Sequence, residues 1–208
     1  MTEDGTTRAG GARRTQAERR ARTRGALLEA AARGLSRNGY ANLVLAQVAA
    51  EAGYTRGALY HLFSGKEELA LAVVSWVDET WTAEVRTRAD GAEPVDALIT
   101  LARGHAEYCR RDVAQVLMTL RVEFAGQDHP VGLAISEIVR GLVDEVAGWI
   151  EEGRTSGDIP AGPPAQVTAH AYVGVLEGIG IALAGQPPFD VELAERTVRG
   201  VLGLTPAP

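Results

Sequence analysis

The sequence predicts an all-α protein of about nine helices, with a small N-terminal domain followed by a larger C-terminal one. Apolar residues recur at the three-to-four spacing of a helix through most of the 208 residues. No segment sustains the alternation of apolar and polar residues that marks a half-buried strand. Clusters of glycine and proline separate the periodic stretches. A chain of this length can bury one large core, or a small core and a larger one.

The first 21 residues contain no periodic apolar face, so we expect a disordered basic arm there. Either this arm follows the phosphates or the minor groove of a nucleic acid, or it is a solvated tail. Its basic residues, together with one just beyond it, include Arg13, Arg14, Arg19, Arg20 and Arg22.

Three short helices follow, at about 24–37, 45–52 and 56–62. Gly53 ends the second of them, because glycine enters the left-handed conformation at little cost. Thr55 is the expected N-cap of the third, where its hydroxyl accepts a hydrogen bond from a free N–H of the first turn. Two helices joined by so short a turn are typical of a helix-turn-helix, whose second helix enters the major groove of DNA. A helical hairpin that serves packing alone is the alternative.

The next helix opens at Ser64-Gly65-Lys66, with Ser64 and Glu67 in the register of a capping box. A set of residues at fixed spacing runs through this segment: Gly39-Tyr40, Val48-Ala49, Ala52-Gly53, Leu59-Tyr60-His61, Phe63 and Lys66-Glu67-Glu68-Leu69. In these residues the sequence resembles the N-terminal domain of the tetracycline-repressor (TetR) family, over about residues 24–75. The chain departs from the family pattern at Leu43-Val44, where a Thr or Ser usually caps the second helix. Asn42 is the nearest side chain able to cap it.

The rest of the chain continues as helices at about 66–88, 95–110, 113–125, 131–154, 165–184 and 191–203, parted by glycine and proline. We therefore expect the basic arm at 1–21, a helix-turn-helix domain at 22–65, and an effector-binding and dimerisation domain at 66–208.

The charge is divided unevenly along the chain. The net charge is −6, yet residues 1–69 carry 11 basic and 7 acidic side chains while residues 70–208 carry 10 and 20. Attraction to phosphate acts locally, within a Debye length of about 8–10 Å. The acidic body therefore does not cancel the basic N-terminal domain, and the asymmetry points to a nucleic acid.

The resemblance implies that residues of the third helix and the next helix start contact operator DNA. Arg56 has the fork that pairs with guanine O6 and N7, and Ala58 suits a thymine methyl. Gly57 allows close approach of the backbone, and the remaining polar side chains suit phosphate oxygens. The predicted contacts are Thr55, Arg56, Gly57, Ala58, Tyr60, His61 and Lys66.

Small residues line one face of the helix at 165–184. Each glycine in a lone helix would cost about 1 kcal/mol relative to alanine, so a close helix neighbour is expected there. That neighbour is either another helix of the same chain or a second subunit, and the resemblance, which implies a four-helix-bundle homodimer, favours the second. The predicted interface residues are Val167, Ala171, Gly174, Gly178 and Ala182.

The resemblance also implies a mostly apolar effector cavity between the middle helices. Aromatic, polarisable and polar side chains at helical spacing are its candidate lining, although ordinary core packing is the alternative for each. The predicted lining is Trp76, His105, Tyr108, Met118, Arg121, Phe124, Trp149 and Tyr172, with Glu123, His170 and Glu177 as further polar candidates.

In function, the resemblance implies a ligand-responsive DNA-binding regulator, by default a repressor. It would bind a near-palindromic operator in double-stranded DNA as a homodimer and be released by a small hydrophobic effector that the sequence does not identify. The alternatives are a helical small-molecule-binding protein without operator activity and, less favoured, an enzyme that uses the cavity of the helical domain.

Other classes are disfavoured. No catalytic residues are expected. His105 and Cys109 could form a nucleophilic pair only with a third group to orient the histidine and with an oxyanion site, and the sequence identifies neither. Four scattered histidines and one cysteine predict no metal site and no cofactor. No apolar run approaches the roughly 20 residues of a membrane span. We expect no membrane contact and a cytoplasmic, nucleoid-associated bacterial protein.

Overall fold

The computed structural model describes residues 15–205, and within that range the chain folds into nine α-helices and no strand. The predicted all-α class and number of helices are confirmed for these residues. The helices are α1 (Gln16–Asn38), α2 (Leu45–Glu51), α3 (Arg56–Tyr60), α4 (Lys66–Glu84), α5 (Pro94–Tyr108), α6 (Val116–Glu123), α7 (Pro130–Ser156), α8 (Ala165–Ala182) and α9 (Phe189–Val201). A 3-10 turn, Arg86–Ala89, joins α4 to the loop before α5.

Helix α1 begins earlier than the sequence reading placed it. The expectation of disorder up to residue 21 is wrong for residues 15–21, because Thr15 and Glu18 form a reciprocal capping box that starts the helix. Arg19, Arg20 and Arg22 consequently lie exposed on a helix rather than on a flexible arm. Arg13 and Arg14 lie outside the described residues.

Helices α2 and α3 form the predicted helix-turn-helix. Gly53 adopts φ +77°, and the Thr55 hydroxyl accepts a hydrogen bond of 3.2 Å from the Ala58 N–H. The entry to α2 carries no side-chain cap: Val44 occupies the N-cap position, while the Asn42 amide donates to the Asn38 carbonyl instead. In this chain, therefore, no side chain takes over the capping role that a Thr or Ser has in the family.

The start of α4 differs in detail from the predicted capping box between Ser64 and Glu67. Gly65 occupies the N-cap, so the third helical residue is Glu68. Its carboxylate accepts a hydrogen bond of 2.7 Å from the Ser64 N–H. Because the N-cap lies one residue later than predicted, Glu68 rather than Glu67 is the carboxylate that caps the start of α4.

Two large apolar cores hold the fold together, beside a small third cluster of Ala106, Val191 and Ala194. The first unites α1–α3 with the first half of α4, with α6 and with the start of α7, and so crosses the predicted domain boundary at residue 65. The second lies among α5, α7, α8 and α9. In the part of the chain that the structure describes, no helix is both long and apolar enough to cross a membrane.

Candidate DNA-binding face and effector cavity

Helix α3 buries one residue and exposes its other large side chains. Leu59 is fully buried, which fixes the opposite face of the short helix toward solvent. On that face the Arg56 guanidinium lies over the Tyr60 ring, 5.3 Å from its centroid, and its Nη2 donates to the Tyr60 hydroxyl at 3.3 Å. A planar, permanently charged donor group therefore stands exposed at the first turn of α3, as readout of a guanine edge requires.

The other predicted contacts on α3 surround this pair. Thr55, Gly57 and His61 are exposed, and Ala58 is half-buried. A Cβ built on Gly57 would meet only the Thr55 hydroxyl, at 3.8 Å. The backbone of α3 is thus open on the side of Gly57, which permits close approach of a large partner.

Lys66 occupies a different environment from the one predicted. Its Nζ donates to the Ala41 carbonyl at 2.8 Å and lies 4.7 Å from the centroid of the Tyr40 ring. The ammonium group therefore fastens α4 to the loop between α1 and α2, and any phosphate contact would have to share it with these partners. The lysine was identifiable from the sequence, but its distant partner was not.

Ion pairs within the N-terminal domain occupy two of the arginines that could otherwise contact DNA. The Glu51 carboxylate accepts hydrogen bonds of 2.8 Å from both Arg33 and Arg37, which joins α2 to α1. These two guanidiniums hold the pKa of Glu51 below its usual range. Two of the domain's positive charges are therefore committed to its own fold.

The junction between the N-terminal domain and the body is built on the last residue of α6. Glu123 accepts hydrogen bonds from the backbone N–H of Tyr40 at 2.5 Å and of Ala41 at 2.7 Å. Beside it, Phe124 stacks on His129 with ring centroids 4.2 Å apart, and both contact Tyr40 edge-on. Sequence reasoning offered Glu123 only as a candidate ligand contact, whereas the structure makes it a support for the DNA-binding domain.

A cavity of about 420 Å³ lies among helices α4 to α8. Four of the eight predicted lining residues border it: His105, Tyr108, Met118 and Arg121. Glu177, a further candidate, borders it too. Sequence reasoning missed Asp78, Trp81, Thr82, Arg86, Glu137 and Glu145. The signal for the first three was the i, i+3, i+4 spacing of polar and aromatic residues on a largely apolar helix.

The other predicted lining residues lie elsewhere, and these assignments are wrong for this cavity. Tyr172 is fully buried in the second core, where its hydroxyl donates to the Leu98 carbonyl at 2.5 Å. Trp149 packs against the same core and Trp76 against the first. Phe124 belongs to the domain junction, as does Glu123, and His170 is exposed. Aromatic residues at helical spacing serve core packing equally well, which is why periodicity could not separate them.

His105 is a neutral group in the cavity wall. Its Nδ1 accepts a hydrogen bond of 3.1 Å from the Trp81 indole N–H, so in the neutral ring Nε2 carries the proton. Nε2 lies 3.3 Å from the Cys109 sulfur. Burial lowers the pKa of His105 to about 4 and raises the pKa of the Cys109 thiol to about 12. The pair therefore stays an uncharged imidazole and thiol at neutral pH, which does not favour a nucleophilic role.

The predicted small-residue stripe on α8 faces outward. Val167 is 58% exposed, and Ala171, Gly174, Gly178 and Ala182 are exposed as well. A Cβ built on Gly174 or Gly178 would meet nothing within 4 Å, so within the described residues no helix of this chain packs against these glycines. Large apolar side chains extend the same region: Ile181, Phe189 and Leu193 are 63%, 59% and 39% exposed.

Comparisons with known proteins agree with this architecture. Residues 27–73 match the family model for bacterial regulatory proteins of the tetR family. The transcriptional regulator CymR of Pseudomonas putida is 44% identical over 87 residues, a match that covers 42% of this chain and 43% of CymR's own length. The chain is thus matched to less than half the length of this curated regulator.

The fold extends the likeness over most of the chain. The crystal structure of AibR with isovaleryl coenzyme A and operator DNA superposes with a TM-score of 0.75 at 22% identity, over 88% of this chain and all of that one. FadR from Bacillus subtilis, crystallised with stearoyl-CoA, gives a TM-score of 0.71 at 18% identity, over 87% of this chain and 98% of that one.

A helix-turn-helix domain set on a helical body with a cavity is the architecture that this chain shares with the transcriptional regulators it resembles, and the curated proteins that match it are described as regulators. Within that architecture, residues 27–73 match the DNA-binding domain of the tetR family of bacterial regulatory proteins.

Proposed function

We propose that the protein is a ligand-responsive transcriptional repressor that binds a near-palindromic operator as a homodimer and is released by a small hydrophobic effector. One observation carries the proposal. Helix α6 borders the cavity through Leu117, Met118 and Arg121, and the same helix ends in Glu123, which holds the backbone of Tyr40 and Ala41 in the DNA-binding domain.

A shared helix gives the two sites a direct mechanical connection. An effector that moves α6 displaces Glu123, and with it the loop that leads into α2 and α3. Linkage requires the effector to prefer the form that binds DNA poorly, and a preference of about 1–3 kcal/mol suffices for a switch of roughly 5- to 150-fold in operator affinity.

The homodimer is supported by the exposed stripe of α8 together with Ile181 and Phe189. A two-fold dimer presents two copies of α3 to half-sites about 34–36 Å apart or a multiple of that spacing, which accounts for a near-palindromic operator. The Arg56 fork is the side chain proposed to read sequence, while Thr55, Tyr60 and His61 would hold phosphates. A cytoplasmic, nucleoid-associated location follows from this role.

The alternative is a small-molecule-binding helical protein without operator activity. The open face of α3 favours the regulator, because a helix used for packing alone has no need to present Arg56 and Tyr60 to solvent.

Gel-shift titration of the purified protein on DNA from its own promoter region, at several salt concentrations, tests the proposal. We expect saturable binding whose logarithmic affinity falls linearly with the logarithm of salt, and sedimentation equilibrium should give a dimer. Absence of salt-dependent binding to that DNA, with the dimer intact, would contradict the regulatory role.

A further inference from the structure

The effector cavity combines apolar walls with an excess of acidic groups. Leu117, Ile138, Leu142 and Leu176 provide hydrocarbon surface from three different helices. Four carboxylates border the cavity, Asp78, Glu137, Glu145 and Glu177, against the two guanidiniums of Arg86 and Arg121.

The two guanidiniums already have partners. Arg86 pairs with Glu145 at 2.6 Å and with Asp90 at 2.7 Å, and Arg121 pairs with Glu177. The imidazole of His105 adds no positive charge, because burial lowers its pKa to about 4. The cavity border therefore has no cation left over for an anionic ligand.

Asp78 is the carboxylate without a counterpart. Glu137 lies at an exposed position and pairs with Arg140 at 3.0 Å, whereas Asp78 has no hydrogen-bond or ion-pair partner among residues 15–205. Asp78 is half-buried in the wall, and burial raises its pKa above the ordinary range. An unpaired carboxylate in an apolar wall gains most from a ligand that carries a positive charge.

The neighbouring indole suits the same ligand. Asp78 and Trp81 are at i and i+3 on α4 and both border the cavity, so they are adjacent on one helix face. The face of a tryptophan ring attracts ammonium groups, most strongly where water is excluded. Asp78 and Trp81 thus lie together on the cavity border, next to its aliphatic walls.

We propose that the effector is an amphiphilic organic cation, with its amine or quaternary ammonium group against Asp78 and Trp81 and its apolar body against the leucine-rich walls. This inference rests on the proposed ligand-responsive function and names its ligand class. It also separates this chain from AibR and FadR, which were crystallised with coenzyme A thioesters. The phosphates of such a thioester would meet a border of net negative charge.

Three ligands with one tail test the charge of the head group: octyltrimethylammonium, octanol and octanoate. Isothermal titration calorimetry on the full chain should show the cation binding most tightly and octanoate least. A free coenzyme A thioester, isovaleryl-CoA, should bind more weakly than the cation. Tighter binding of octanoate or isovaleryl-CoA, or no binding of the cation, would overturn the proposal.

The variant Asp78→Asn keeps the shape of the side chain and removes its charge. We expect the affinity for octyltrimethylammonium to fall about tenfold, as for loss of one charge-assisted contact, with octanol affinity unchanged. The matched control is Glu79→Gln, which removes a carboxylate one residue away that lies outside the cavity border and accepts from the Ser75 hydroxyl. Unchanged octanol binding shows that the variant is folded. Equal loss of all three ligands, or none, would contradict the role of Asp78.

The DNA measurement separates this inference from the proposed function. Promoter DNA bound by the protein but never released by octyltrimethylammonium, together with no calorimetric binding of the cation, overturns the ligand class and leaves the regulator. Cation binding that depends on Asp78, in a protein that binds no promoter DNA, upholds the ligand class and overturns the regulator.

Discussion

The carboxylate of Glu123 accepts a hydrogen bond of 2.5 Å from the backbone N–H of Tyr40. Its other oxygen accepts one from the next N–H, that of Ala41, at 2.7 Å. One side chain at the end of α6 thereby satisfies two backbone donors at the point where α1 ends and the loop toward α2 begins.

Removal of the Glu123 carboxylate should loosen the junction. Hydrogen bonds to a charged group contribute about 1.5–3 kcal/mol each when buried, and these are partly exposed. Glu123→Ala should therefore lower the free energy of unfolding by about 2 kcal/mol in urea titrations, and should weaken the effect of ligand on DNA affinity. Glu137→Ala, which loses a surface pair with Arg140, should change stability by less than about 0.5 kcal/mol. Equal effects of the two variants would refute this role.

Gly39 should resist substitution because of the same contact. Its backbone has φ 72° and ψ 178°, a region that is essentially limited to glycine and costs other residues about 1–3 kcal/mol. A Cβ there would also lie 2.7 Å from Glu123 Oε2. Gly39→Ala should destabilise the protein by about 3 kcal/mol. In the Glu123→Ala background the same change should cost less, and strict additivity in this double-mutant cycle would show that the contact is unimportant.

Arg56→Ala should abolish specific operator binding and leave dimerisation intact. The guanidinium contributes about 1–3 kcal/mol of base discrimination where it pairs with a guanine, and it lies exposed on α3 rather than in the core. Competition gel shifts with operator and unrelated DNA at one salt concentration measure the loss. Arg140→Ala is the matched control on the body, and an Arg56 variant with unchanged operator preference would remove this residue from the readout.

His105 should make stability depend on pH between about 4 and 6.5. Its folded pKa is lowered to about 4 from the ordinary 6.5, so the unfolded chain binds more protons in that window. The stability contribution is complete above 6.5 and decreases as the pH falls, by about 1.4 kcal/mol per unit and about 3 kcal/mol in all. His105→Gln keeps an acceptor for the Trp81 indole and should flatten this part of the stability profile. A parallel profile in the variant would contradict the assignment.

Gly174→Leu should separate the role of the α8 stripe from the fold of the subunit. Apart from the adjacent turns of α8 itself, no atom of the described residues lies within 4 Å of a Cβ at this position, and a leucine favours the helix over glycine by several tenths of a kcal/mol. The subunit should remain folded while sedimentation equilibrium shows weaker dimerisation. Gly25→Leu, on α1 and equally open, should leave the dimer unchanged. A dimer unaffected by Gly174→Leu would place the interface elsewhere.

The features that the sequence predicted well are those set by neighbours in the chain. Thr55 caps α3 through Ala58, three residues away, and Gly53 supplies the positive φ of the turn. The early start of α1 was also readable, since Thr15 and Glu18 have capping-box spacing. The first turns of α1 bury no residue before Leu27, so no apolar periodicity marks them in the sequence.

The features that the sequence could not predict depend on distant partners. Glu123 lies 83 residues from Tyr40, and Lys66 lies 25 residues from its acceptor Ala41. The sequence identifies a carboxylate or an ammonium group, but it does not show whether the partner of that group is a ligand, a phosphate or the protein backbone. For the same reason, periodicity identified Met118 as part of the cavity as readily as it misplaced Tyr172, which the packing of α8 against α5 directs into the core.

The bond between Lys66 and the Ala41 carbonyl has a consequence for labelling chemistry. Lys66 is the one lysine in the sequence, so an amine-selective reagent can modify a side chain at that position alone. Its ammonium is held against Tyr40 at the junction, where displacement of Glu123 would free it. The extent of acylation at Lys66, measured by mass spectrometry, therefore indicates whether the contacts between the DNA-binding domain and the C-terminal domain are intact.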